Sequence, residues 1–284
     1  MRFNRRIFGD LIQRIFGKAD LVILRKNRFN ELYEKIDQYS SYIKWSEGLE
    51  DSAFREFMKK HILGNTSSAQ LQQDLVALYV AKIHGAPSNF FVEFGATDGK
   101  TYSNTFLLEK EFSWDGILAE PAKTWEGKLK ENRHCNIDLR CVWSKSGESL
   151  EFFEVDDASY STLSGYSTSD QHHKLRENKK SYTVSTVTLG DLLSFHGAPR
   201  TISYLSLDTE GSEFEILRNF DFNSYEFNFI SVEHNFSKNR ESIHDLLTKH
   251  GYIRILVNFS EWDDWYIRVC QETENFLGVI LEKN

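Results

Sequence analysis

Phe90-Phe91-Val92-Glu93-Phe94-Gly95-Ala96-Thr97-Asp98-Gly99 is the stretch whose reading decides the fold. Four of its first five residues are bulky and apolar, the composition of a strand buried on both faces. It runs into Glu-x-Gly-x-x-x-Gly, and a helical pattern follows over 103–111. Glycines in such a turn let the backbone reverse tightly and approach a ligand with no Cβ between them. Open α/β sheets bind ligands at the carboxyl ends of their strands, near the point where strand order reverses. Glu93 ends this strand, so its carboxylate can hold, directly or through water, the amino group of a bound amino acid.

The rhythm around this stretch agrees. Apolar β-rich runs at 90–94, 116–119, 137–142, 202–207, 229–232 and 252–257 alternate with helical patterns at 103–111, 123–132, 212–220 and 240–250. Strand–helix alternation with apolar strands predicts a parallel sheet covered on both faces. Two further strands, 150–155 and 182–187, flank a polar, Ser-rich insertion at about 156–180. An insertion of that length in a compact domain reads as a lid on the substrate side.

Upstream, residues 1–84 read as a helical N-terminal segment, and 85–284 as the α/β domain. Asp51 opens a helix that Gly64 ends, and Ser67 or Ser68 caps another running through Leu71, Leu75, Leu78 and Ile83 to Gly85. Glu31, Leu32, Tyr33 and Ile36 begin an earlier one. Residues 1–28 carry eight Arg and Lys against Asp10 and Asp20, with Phe3, Ile7, Phe8, Leu11, Ile12, Ile15 and Phe16 at helical spacing. Such a helix can meet an anionic membrane surface, but docking on the main domain or on a second subunit is the favoured expectation.

Bulk properties exclude several classes. A net charge of −8 argues against a nucleic-acid partner held through its phosphates. The cysteines, Cys135, Cys141 and Cys270, are odd in number and lack C-x-x-C spacing, which fits a reducing, cytoplasmic setting rather than a disulfide scaffold. No apolar run reaches the ~20 residues that span a bilayer. Arg14 and Asp10 interrupt any secretory h-region.

A second acid sharpens the cofactor reading. Glu120 ends the next strand, Gly-Ile-Leu-Ala-Glu, where an acceptor-only side chain can take both hydroxyls of a ribose. A dinucleotide site wants Gly-x-Gly-x-x-Gly and a pyrophosphate on the helix N-terminus. The two glycines here stand four residues apart without the third, which favours S-adenosylmethionine (SAM) over NAD.

With these pieces in order, the chain resembles the FkbM-type methyltransferases. The resemblance rests on 91–99, Ser103-Asn104-Thr105, 116–121, Asp208-Thr209-Glu210-Gly211-Ser212-Glu213 and Val232-Glu233-His234, and it covers roughly the last two hundred residues. It implies a class I methyltransferase fold, an α/β Rossmann-like sheet of seven mostly parallel strands, here with a helical N-terminal extension. It also implies SAM as donor and O-methylation of sugars or polyketide-like products, often in surface polysaccharides or glycoconjugates. The expected cofactor contacts are Glu93, Gly95, Thr97, Asp98, Gly99, Ser103, Asn104, Glu120, Cys141 and Val142.

The second half supplies the chemistry. A parallel sheet would bring Asp208, Glu233 and His234 to one rim beside the cofactor. Methyl transfer needs the acceptor hydroxyl aligned and its proton removed. Alignment can lower the barrier by up to ~7–11 kcal/mol, and a base adds ~10²–10⁴-fold. His234 is the first candidate base because an imidazole titrates near neutrality. Asp208 and Glu233 are alternatives or orient it, and Glu210 can face the pocket or simply favour a helix start. Two carboxylates and an imidazole could also hold Mg²⁺ or Mn²⁺, although metal-free catalysis is favoured. Tyr160 and Ser161 in the insertion, with Asp263 and Trp265, are candidate acceptor contacts, because aromatic faces and carboxylates suit sugar rings. The paired His172-His173 reads as solvated loop. An NAD-dependent oxidoreductase acting on a nucleotide sugar, or a non-catalytic module of the same fold, are the competing readings.

Overall fold

The computed structural model describes residues 41, 43–45, 51–64, 66–85, 88–155, 158–166, 176 and 178–274. The basic stretch 1–28, the segment opening at Glu31, the His172-His173 pair and much of the insertion lie outside the described residues.

Among the described residues, seven strands form the central sheet: β1 (Phe90–Phe94), β2 (Asp115–Ala119), β3 (Asn136–Asp138), β8 (Thr201–Leu207), β9 (Glu226–Glu233), β10 (Tyr252–Ile255) and β11 (Asp263–Arg268). Their order is β10-β11-β9-β8-β1-β2-β3. Pairings from β3 to β9 are parallel, but β11 runs antiparallel to both β9 and β10. The sheet is therefore mixed, a correction to the parallel sheet expected from strand–helix alternation. A short connection after β10, through the helix Val257–Ser260, returns the chain at once, and a chain returned so soon can only pair antiparallel.

Side-chain alternation along these strands builds two cores. Phe91, Tyr204, Phe229 and Trp265 face one way, into a cluster with the helices Ser52–Leu63 and Gln73–His84. Val92, Leu205 and Ile230 face the other way, into a cluster with helices Leu189–Phe195, Glu213–Arg218 and Arg240–Lys249. Apolar residues at successive positions are what a sheet buried on both faces demands. On the first face, Trp45 sits among Phe54, Phe259 and Trp265, so residues well upstream of β1 share the core of the sheet.

Asp51 caps the helix Ser52–Leu63 by accepting from the Phe54 amide at 2.6 Å. Ser67 and Ser68 do not cap the next helix. Ser67 Oγ and the Ser68 amide donate instead to the buried Asp74 carboxylate, and Gln72, in the left-handed region, opens the helix at Gln73.

A second, four-stranded sheet, β4-β7-β5-β6, lies beside the first. Its strands are β4 (Cys141–Val142), β5 (Ser149–Val155), β6 (Thr162–Leu163) and β7 (Lys179–Val187). The run expected as one strand over 137–142 is divided between the two sheets. Asp138 accepts from the Arg140 amide and guanidinium and pairs with His196, and this turn takes the chain out of the first sheet. Among the described residues, no helix is long and apolar enough to cross a membrane.

Candidate active site

The carboxyl ends of β1, β2, β8 and β9 border a cleft of about 710 Å³, closed on one side by β11 and on another by residues of the second sheet. That volume suits a cofactor-sized ligand. Among the described residues, nine that are not glycine have left-handed backbone, and six of them, Thr97, Tyr102, Glu210, Asn235, Phe236 and Glu261, line this cleft. Each such conformation costs on the order of 1–3 kcal/mol and persists where the surroundings impose it. Strain is therefore concentrated where ligands would bind.

Gly95 (φ +71°) explains how the cleft forms. A Cβ there would fall 2.0 Å from the carbonyl oxygen of Asp208, so the turn after β1 can press against the end of β8 only with glycine. Gly99 (φ +76°) packs away from the cleft, its missing Cβ leaving room for Leu129 and Arg133.

Glu93 corrects its expected role. Its carboxylate is buried and fully engaged, accepting from Ser103 Oγ (2.9 Å), the Asn104 amide (2.8 Å) and Thr105 Oγ1. It shapes the 99–105 loop and does not line the cleft. Behind it lies Arg133, a residue that sequence reasoning missed. Its side chain is fully buried, bonds to Glu109, Gly99 O, Ser103 Oγ and Thr105 Oγ1, and lies 3.7 Å from Glu93. A lone Arg just past a helix looks like a surface cap, and only its distant partners reveal it.

Glu120 is placed as expected, at the end of β2 and on the cleft wall. One of its oxygens accepts from the Thr97 amide at 2.9 Å and the other from the Ala122 amide at 2.8 Å, so each keeps a lone pair. Burial raises its carboxyl to about 7. Asn104 joins the wall and donates to Ser206 Oγ, while Ser103, Thr97, Asp98, Cys141 and Val142 also line it. Asp98 is held as a carboxylate: despite partial burial, the Lys100 and Thr101 amides and Thr101 Oγ1 lower its pKa. Burial pushes the Cys141 thiol up to about 12, so it packs as a neutral side chain.

At the ends of β8 and β9 the carboxyls of Asp208 and Glu233 meet, and burial raises both, with the charges of Asp263 and Glu213 adding to the rise at Asp208 and that of Asp208 to the rise at Glu233. Such a pair keeps one proton between two carboxyls. Glu210 stands beside them, its carboxylate accepting from Arg176 at 2.8 Å.

His234 does not join the pair. Its Nδ1 accepts from the Phe236 amide and its Nε2 faces the Asp263 carbonyl, each at 3.0 Å, so both ring nitrogens are occupied away from the cleft. Burial lowers its pKa to about 4. The first candidate for the base is thus a neutral, structural histidine, because the chain turns sharply after Glu233 and sends the next side chain under β11.

Among the expected acceptor contacts, Tyr160, Ser161 and Asp263 line the cleft, and Trp265 does not. Trp265 is core, stacked on Trp45, with its Nε1 donating to Asp263. Asp263 also accepts from Gln73, a second residue missed in the sequence, and burial raises it to about 6. Its neighbour Asp264 is tied to Arg240 and Arg254.

A sheet in this order, with an acid-bearing cleft across its carboxyl edge, defines a Rossmann-like α/β protein, a class of fold that takes small ligands at its strand ends. The chain belongs to the FkbM methyltransferase family, whose domain model matches residues 93–266. No curated protein matches its sequence. Among solved structures, precorrin-6y C5,15-methyltransferase from Geobacter metallireducens GS-15 is similar at 11% identity and a TM-score of 0.34, over 71% of this chain and 91% of that one. The plantazolicin methyltransferase BpumL in complex with SAH is similar at 12% identity and a TM-score of 0.30, over 82% and 69%. Neither likeness is strong enough to bear on substrate or mechanism.

Proposed function

We propose that the chain is a SAM-dependent O-methyltransferase that methylates a hydroxyl of a sugar in a surface polysaccharide or other glycoconjugate. The observation that carries this reading is the charge of the cleft. Asp98, Glu120, Asp208, Glu210, Glu233, Glu261 and Asp263 line it, and among the described residues the only lysine or arginine on the wall is Lys128. An acidic wall repels the pyrophosphate of NAD and favours a cationic ligand. SAM suits it, since it carries a sulfonium and an ammonium, and the spare lone pairs of Glu120 fit the two hydroxyls of a ribose.

SAM supplies an electrophilic methyl group when bound. The chain's own residues do the rest. Thr97 and Ala122 fix the Glu120 carboxylate through their amides, and Asn104 presents its side chain beside Ser206. The Asp208–Glu233 pair can take a proton from an acceptor hydroxyl through whichever carboxylate is ionised, which makes it the base in place of His234. Tyr160, Ser161 and Asp263 offer polar contacts for the hydroxyls of a sugar at the open side.

Calorimetric titration of S-adenosylhomocysteine, the product of SAM turnover, tests the donor. Wild type should bind in the micromolar range, and Glu120→Ala should weaken binding by ~1.5–3 kcal/mol, the worth of hydrogen bonds to a charged acceptor. No binding to wild type, or tight NADH binding in its place, would refute the reading. Turnover of SAM on a panel of hydroxylated glycans then tests the acceptor.

A further inference from the structure

Asp208, Glu210 and Glu233 offer carboxylate oxygens that all lie within 4.8 Å of one another. Three converging carboxylates are the kind of ligand set that a divalent cation takes. Here a cation is already supplied by the chain. Arg176 Nη2 donates to Glu210 Oε2 at 2.8 Å, and its Nε donates to the Tyr160 carbonyl at 2.8 Å, with the arginine side chain only 1% exposed. Thr162 Oγ1 donates to the Glu210 carbonyl at 3.1 Å, and Glu210 itself sits in left-handed backbone. The carboxylate of Glu210 is therefore fixed by residues of the excursion between β5 and β7, which reach across to the end of β8.

We propose that Arg176 is a built-in counter-cation for this triad, a positioning residue that holds Glu210 and takes the place of a divalent metal ion. The three carboxyl groups converge within 4.8 Å, and the buried guanidinium is the cation that meets them there. The guanidinium also occupies an oxygen of Glu210 that a metal would need. Removal of its charge should turn the triad into a metal site. This holds whatever donor or acceptor the cleft takes.

Mn²⁺ titration of the full chain, followed by the electron paramagnetic resonance of free Mn²⁺, tests the proposal. Wild type and Arg176→Lys are expected to bind Mn²⁺ no tighter than millimolar. Arg176→Gln is expected to bind one Mn²⁺ at least tenfold tighter, and Arg176→Gln combined with Glu210→Gln to lose that gain. A folded Arg176→Gln variant, as shown by its circular dichroism, with no gain in Mn²⁺ affinity overturns the proposal. If that variant does not fold, the wild-type titration decides alone. Micromolar Mn²⁺ binding that Glu233→Gln abolishes overturns the proposal, and binding weaker than millimolar upholds it.

Discussion

Replacing Arg133 with methionine removes the charge from a deeply buried ion network while keeping much of the side-chain volume. The guanidinium has no exposed surface, and its partners Glu93 and Glu109 are 4% and 9% exposed at the side chain. Breaking one side of a buried ion pair costs about 3–5 kcal/mol, because the remaining charge has neither water nor partner. Glu109 gives a second route to the same size. Although burial opposes ionisation, the hydrogen bond and charge of Arg133, with help from the His134 amide and Cys135, bring its carboxyl down to about 2 from an ordinary 4.5, roughly 3 kcal/mol of which Arg133 supplies the larger part. At ~2–4 °C per kcal/mol for a domain of this size, Arg133→Met should lower Tm by roughly 6–20 °C at pH 7.

The acid limb makes the test specific. A carboxylate whose folded pKa lies below its unfolded value stabilises the fold fully above pH 4.5, and this contribution fades as pH falls towards about 2. Wild type should therefore lose stability across that window, and Arg133→Met should lose less. Adding Glu109→Gln to Arg133→Met should recover part of the loss, since Glu93 keeps its three loop donors. Scanning calorimetry from pH 7 to 3 measures all of this. A single variant within about 2 °C of wild type at pH 7 would refute the reasoning.

Other outcomes follow from the same geometry. Gly95→Ala drives a Cβ into the Asp208 carbonyl and should cost about 1–3 kcal/mol, with weaker S-adenosylhomocysteine binding; unchanged affinity would mean that the turn yields freely. In Glu233→Gln the repulsion inside the acid pair is gone. Because both carboxyls are raised in the fold, wild type loses stability as pH rises from the ordinary 4.5 through about 7, so the Tm of the variant should gain on wild type across that window. A constant gap would contradict the shared proton. His234 is neutral in the fold down to about pH 4, whereas the unfolded chain protonates it below 6.5. Urea midpoints of wild type should thus fall between pH 6.5 and 4, and His234→Gln should flatten that fall; an unaltered slope would argue that the histidine is solvated.

Much of the frame was legible because it depends on local composition. The runs that became β1, β2 and β8 are nearly continuous in apolar residues, and the glycine turn after β1 sits where it was expected. β11 escaped notice because it carries Asp263, Asp264 and two aromatics, which look like a binding surface. Its acids are buried instead against Gln73, Arg240 and Arg254, partners up to 190 residues away that no local pattern discloses. Within the cleft, Glu120 was readable from a strand end and an acid. Glu93 and His234 were misassigned because their hydrogen-bond partners, not their positions, decide which way they act. Arg133 and Arg176 had no signal at all, since a solitary arginine becomes informative only once its carboxylate is known.

The late entry of β11 has a consequence for synthesis. β9 is buried on both faces and hydrogen-bonds to β8 along one edge, while residues 263–268 cover its other edge. As the ribosome releases the chain, β9 and then β10 emerge before the strand that must lie between them. Until then β9 presents an unpaired edge, the kind of template on which nascent chains associate. This half of the sheet must close after translation has passed Arg268, so the folding yield in a cell should fall when chaperone protection is withdrawn during that interval.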